Sequence, residues 1–262
     1  MGRMREAFDV LLLAVLQGIT EFLPISSSGH LVLAQSLLKI NTPGVRLEIV
    51  LHLGTLVSIF IYYRATILKL IRGALRGDRT CWLKTGYIVP SAIPAVFFYL
   101  LCHDKIDAFF EDSRAVGGFL IFTGAVLCAL RWMACGEGEV TAARALLVGI
   151  AQALAVLPGI SRSGMTISAA RMAGIAPGKA AEFSFLMSTP LLLGAALVDF
   201  MGLTPSSGAH ALPPWLLLTA AGISAAVGLV SLALLVHTLR GGRFWLFGLY
   251  CFAAGFATLL FT

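Results

Sequence analysis

Six runs of apolar residues, at 47–66, 86–103, 116–134, 181–201, 213–237 and 244–262, leave this chain few ways to fold. Each is near the length of about 20 residues that an α-helix needs to cross the hydrocarbon of a bilayer. The supply of charge agrees. Of 262 residues, 58% are hydrophobic and 12% charged, and the mean hydropathy is +0.91. A soluble domain carries about 25% charged residues, and half of that cannot cover a water-facing surface. The sequence therefore predicts an all-α integral membrane protein with six transmembrane helices.

Two further apolar regions, about 8–38 and 142–173, do not read as single spans. Each is broken near its middle, by LPISSSG in the first and LPGISRSG in the second. Irregular polar backbone survives at membrane depth only where protein buries it or where it lines a wet cavity. Each region is therefore expected to be a re-entrant pair of half-helices that returns to the side it entered from.

The basic residues orient this arrangement. Arg64, Lys69, Arg72, Arg76, Arg79 and Lys84 lie between the first two spans, whereas 202–214 holds no lysine or arginine. Basic loops face the cytoplasm, which puts 64–84 inside and both termini outside. Arg3, Arg5, Lys39 and Arg46 count against this. The net charge of +6 is explained in the same way, and no basic run interleaved with aromatics points to nucleic acid. The five cysteines are scattered without CxxC spacing and read as small apolar fillers. The N-terminus does not read as a cleavable signal, because its apolar run is short and follows Glu6 and Asp9.

An internal repeat organises the chain. At an offset of 135, Gln17 matches Gln152, Ile25 matches Ile160, Ser26 matches Ser161, Ser28 matches Ser163 and Gly29 matches Gly164; at 134, Glu48 matches Glu182 and Thr55 matches Thr189. Each half, about 1–135 and 136–262, holds one broken segment and three spans. Three crossings is odd, so the second half enters from the opposite side. One membrane domain made of two inverted repeats is expected, with its site near the midplane where the repeats meet.

The chemistry lies in the two breaks. Gln17 and Glu21 are four residues apart and share a helix face. Ser26, Ser27 and Ser28 open the next half-helix, with His30 in its first turn. A helix start offers free N–H groups and the positive end of a dipole, which suits an anion. In the second break Ser161, Ser163 and Thr166 repeat the device and Arg162 is added. An arginine inside a membrane segment reads as functional, and its planar fork suits phosphate. If the repeat brings the breaks together, two helix starts and a guanidinium face one pocket for a multiply charged anion. Each piece also has a plainer reading. Serines in membrane helices satisfy backbone or allow close packing, Glu21 and Arg162 can be a structural pair, and a lone histidine is usually a satisfied interior one. His52, Glu48 and Glu182, at span starts, read as supporting the site or as interfacial.

QGITEFLPISSSGHL and LPGISRSGMT together resemble the two signature motifs of the bacterial undecaprenyl-diphosphate phosphatase family, also called the bacitracin-resistance proteins. LHLGTL at 51–56 and EFSFLMSTPLLLGA at 182–195 are similar as well, in the family's order. The resemblance covers essentially the whole chain. It implies a phosphatase of the bacterial inner membrane that hydrolyses undecaprenyl diphosphate to the monophosphate, recycling the lipid carrier of cell-wall synthesis, with its site toward the outer face. By motif matching, Glu21, Ser27, His30 and Arg162 take catalytic positions, and Gln17, Ser26, Ser28, Ser161, Ser163 and Thr166 substrate-binding ones. The resemblance also implies a divalent cation, Mg²⁺ or Ca²⁺; its ligands stay open, with Glu21 the foremost candidate. Position 17 is Gln where many members have Glu, which weakens any mechanism that needs a carboxylate pair for a metal.

Phosphoryl transfer needs an in-line nucleophile and charge neutralisation. Ser27 with Glu21 as base, directly or through His30, is one assignment; His30 as nucleophile is the other. The expected partners are the polyprenyl diphosphate and membrane lipids, without nucleic acid. A homodimer does not follow from the 27 glycines alone. Broken helices in an inverted repeat are also the grammar of secondary transporters, so a carrier or flippase of phosphorylated lipid is the second reading. Phosphate release by purified protein in detergent separates the two.

Overall fold

The computed structural model describes residues 2–38, 44–201 and 212–262. Lys39 and most of the 202–214 connection, which entered the orientation argument, lie outside the described residues. The helices are α1 (Gly2–Phe22), α2 (Ser27–Leu38), α3 (Gly44–Tyr62), α4 (Arg64–Leu75), α5 (Arg79–Glu111), α6 (Ser113–Ala129), α7 (Ala142–Leu154), α8 (Arg162–Met172), α9 (Pro177–Phe200), α10 (Pro214–Arg240) and α11 (Leu246–Phe261). Among the described residues there is no strand, and one isolated bridge joins Gly138 to Ile175.

The helix starts follow local chemistry. Asp78 caps α5 by accepting the Thr80 N–H at 2.8 Å, and Asp112 caps α6 by accepting those of Arg114 and Ala115. Thr141 and Ser161 do the same for α7 and α8. Such oxygens satisfy N–H groups that a helix start otherwise leaves without a partner.

Among the described residues four helices are long and apolar enough to cross a membrane: α5, α6 with the 3₁₀ turn that extends it to Trp132, α9 and α10. The run 47–66 does not continue straight. It ends as α3, and α4 leaves at 74° after Tyr63, so this pair counts as a fifth candidate only if taken as one broken span. The run 244–262 forms α11, whose 16 residues fall short of a full span. Many large apolar side chains face outward, among them Phe97, Leu100, Leu218 and Val230, all more than 60% exposed. Such a surface suits contact with lipid.

Both broken regions are helix pairs. α1 stops at Phe22 and α2 starts at Ser27; α7 stops at Leu154 and α8 starts at Arg162. α1 reaches back to Gly2, well before the apolar pattern begins. The two halves interlock: α1 packs on α10, α7 on α5, and α6 on α11. The main core joins the end of α1 to α3, α8, α9 and α10, with the Phe22 ring edge-on to Phe185 at 5.4 Å.

Candidate active site

The two breaks meet. Gly159 N–H donates to Ser26 Oγ at 3.1 Å, and Ser163 Oγ donates to Leu23 O at 3.3 Å. A Cβ on Gly29 would stand 3.0 Å from Gly159 Cα. Glycine at both positions lets the chains approach this closely, and Gly159 also has φ +99°, which favours glycine.

Glu21 is the hub. It ends α1 one turn after Gln17, whose Nε2 donates to Glu21 Oε2 at 3.0 Å. Ser27, first residue of α2, donates its Oγ–H to the same oxygen at 2.7 Å. Arg162, first residue of α8, pairs through its NH2 with Oε1. The Nε2 of His52, on α3, stands 3.5 Å from Oε2. The carboxylate is buried, while the Arg162 side chain is 19% exposed and keeps part of its fork free.

These groups open on a cavity of about 790 Å³. Its polar end is formed by Glu21, Ser27, His52, Ser161 and Arg162, and the rest is walled by apolar residues of α5, such as Val96 and Leu100, and of α9, such as Leu192 and Val198. The shape suits a charged head on an apolar tail.

The other residues singled out from sequence divide into two sets. Ser26, Ser28 and Ser161 also line the cavity, but the Ser26 and Ser161 hydroxyls are turned to backbone: Ser26 Oγ takes Gly29 N–H and Gly159 N–H, and Ser161 Oγ takes Gly164 N–H. Gln17, Ser163 and Thr166 stand behind the wall. Thr166 Oγ1 bonds Arg162 O at 2.7 Å and Ser184 Oγ at 2.5 Å, which fixes the first turn of α8. Both ring nitrogens of His30 are engaged by groups other than Glu21. Nδ1 is 2.8 Å from Ser26 O, a carbonyl that only N–H can meet, so Nε2 is the acceptor for the Tyr250 hydroxyl at 2.8 Å. The two rings stack at 5.7 Å.

Three residues gain a place here that the sequence did not give them. Tyr250 of α11 fixes His30. Ser184 of α9 fixes Thr166. Gln152 lies on the cavity wall, buried, with neither amide atom partnered. The repeat explains the last. Its equivalent Gln17 is engaged by Glu21, whereas the position matching Glu21 in the second half is Val156. The match of Gln17 to Gln152 was visible; the missing carboxylate beside it was the unread signal. Glu48 lines the cavity and takes a 3.5 Å bond from Gln35, while Glu182 takes Thr66 Oγ1–H at 3.0 Å.

No three His, Cys, Asp or Glu residues are grouped to hold a metal ion among the described residues. Glu21 is a single carboxylate with both oxygens engaged. The donor set does not form a resident cation cage. A single carboxylate is within what Mg²⁺ takes from protein when its other ligands come from elsewhere.

Comparison with known proteins fits this geometry. The family model of the bacitracin resistance protein BacA matches residues 10–257. A protein of Pelotomaculum thermopropionicum named undecaprenyl-diphosphatase is 37% identical over 257 residues, spanning 97% of this chain and 96% of its own. One of Desulfatibacillum aliphaticivorans with the same name is 39% identical, over 96% of this chain and 97% of its own. A third, from Methanosphaera stadtmanae and also named undecaprenyl-diphosphatase, is 34% identical over 98% of each chain. With a match over nearly its whole length, this chain belongs to the bacitracin resistance protein BacA family.

Proposed function

We infer that the protein is an undecaprenyl-diphosphatase, a membrane phosphatase that hydrolyses undecaprenyl diphosphate to undecaprenyl phosphate and inorganic phosphate. One observation carries the chemistry: Ser27 Oγ donates to Glu21 at 2.7 Å while Arg162 holds the other oxygen of the same carboxylate, at the polar end of an otherwise apolar cavity. A hydroxyl bonded to a base is the signature of an activated nucleophile.

Ser27 Oγ attacks the terminal phosphorus, and its proton passes to Glu21 Oε2. The new Oγ–P bond forms as the bridging P–O bond breaks, and that electron pair leaves on the lipid monophosphate. Arg162 and the starts of α2 and α8 take up charge on the equatorial oxygens. Water then attacks the phosphoserine, the Oγ–P bond breaks, and Oγ recovers the proton from Glu21. Glu21 is the residue that would hold a divalent cation, which would supply charge neutralisation at the phosphate oxygens. His30, bonded to backbone and Tyr250, holds the first turn of α2 rather than reaching the phosphate. Six crossings in two inverted repeats, with the site toward the outer face of the inner membrane, complete the reading; the matched packing of α1 on α10 and α7 on α5 supports the repeat.

Purified protein in detergent, with no membrane to cross, is expected to release phosphate from a polyprenyl diphosphate, and Ser27→Ala to lose at least about 10³-fold in rate. Acid-quenched enzyme should carry label on Ser27. Label on His30 would transfer the nucleophile's role, and no phosphate release would leave only transport.

A further inference from the structure

One bend, after Tyr63, serves no part of the catalytic cavity. α4 leaves the apolar α3 at 74° and has no buried residue. At 100° per residue its side chains sort into three strips. Ile67, Leu70, Gly73 and Ala74 are half-buried, and a Cβ on Gly73 would run into Cys81 of α5. Leu68, Ile71 and Leu75 form an apolar strip, exposed by 47%, 51% and 83%. Lys69, Arg72 and Arg76 form the third strip, along one edge of the apolar one.

The basic strip is electrically unanswered. Among the described residues none of these three cations reaches a carboxylate within ion-pair distance. The nearest acid in sequence, Asp78, is engaged otherwise, with Oδ1 on Thr80 N–H and Oδ2 facing the Cys81 thiol. Trp82 closes the corner. Its indole N–H donates to Ala74 O at 2.9 Å while its ring stays 59% exposed, the posture of a tryptophan at a membrane–water boundary.

We propose that α4 and the start of α5 form a binding site for the head groups of anionic phospholipid. With α3 taken along the bilayer normal, a helix set 74° to it lies near the membrane plane. Leu68, Ile71 and Leu75 enter the acyl boundary, and Lys69, Arg72 and Arg76 meet lipid phosphates at the same depth. An apolar strip edged by cations is what a surface-lying helix presents to an anionic leaflet. A soluble protein partner would have to reach an apolar strip already level with lipid.

Protein reconstituted in phosphatidylcholine vesicles with a trace of spin-labelled phosphatidylglycerol or spin-labelled phosphatidylcholine tests this. The anionic label should be held by the wild type at least about twofold more strongly, and the excess should fall as salt is raised toward ~1 M. In K69Q/R72Q/R76Q the preference should drop to near one, while K69R/R72K/R76K keeps it. Phosphatase turnover in detergent should match wild type in both variants, since none of the three residues lines the cavity. A preference equal in wild type and the glutamine variant overturns the proposal and leaves the strip to a protein partner. No preference in the wild type, or none that responds to salt, overturns it as well.

Discussion

Ser26 shows how one residue can hold a site without touching the chemistry. Its φ of +70° lies in the left-handed region, at a cost of about 1 kcal/mol for a residue with a Cβ. It stays there because its hydroxyl takes two backbone N–H groups, one from each half of the chain, and its carbonyl takes His30. Ser26→Ala keeps the strain and loses the stitch, so it should destabilise by about 1–3 kcal/mol. Ser26→Gly loses the same bonds but relieves the strain, and should cost less. Thermal unfolding in detergent compares them; a glycine variant less stable than the alanine one would refute the assignment. Spacing alone marked all three serines without ranking them, and only the family motif set Ser27 apart. The same hydroxyl suits phosphate, a carboxylate or backbone, and only the turn decides that Ser27 faces Glu21 while Ser26 faces Gly159. Glu21 and Arg162 stood out as candidates because a membrane segment rarely carries ionisable residues without a use for them. Gln152 did not, since its environment depends on what is absent four residues later.

At the level of elements, small residues set the geometry. α6 and α11 pack through Gly117 against Gly255 and Gly124 against Gly248, where added Cβ atoms would meet backbone oxygens at 3.1 Å and 2.9 Å. Gly124→Leu should push the helices apart and cost about 1–3 kcal/mol or more. Gly118, one residue from Gly117 but with open space around it, is the control, and Gly118→Leu should change the unfolding midpoint little. Equal losses in the two variants would show that this approach does not hold α11 in place. The apolar runs announced the helices but not their ends or bends. The run through 47–66 contains no proline and continues past Tyr63, so pattern alone reads it as straight. The turn there is set by α4 packing on α5, a contact between segments that no local window contains. Pro90 and Pro94 do sit inside a helix, the 33-residue α5, and give no stop there.

For the whole molecule, the packing predicts that neither half stands alone. α1 finds its partner in α10, α7 in α5, and α6 in α11, so each half exposes in isolation the faces the other covers. Residues 1–135 and 136–262 expressed together as two chains should copurify and release phosphate, while either one alone should aggregate or be degraded. A half that is monodisperse by itself in detergent would contradict this. The repeat was legible because seven matched residues fall at nearly one spacing, and it foretold that the breaks meet. How far they interpenetrate, with Gly29 against Gly159, depends on chain contact and was beyond any spacing argument.

The repeat is also unequal where it counts. Counting 135 residues on, Glu21 becomes Val156 and Ser27 becomes Arg162. A pocket with true two-fold symmetry would treat the two phosphorus atoms of a diphosphate alike and could cut toward either end. In the proposed mechanism the proton acceptor and the attacking oxygen come from one half and the fixed cation from the other. That difference gives the pocket a front and a back, so a displacement can run in one direction only and the phosphate kept by the lipid is distinguished from the one released.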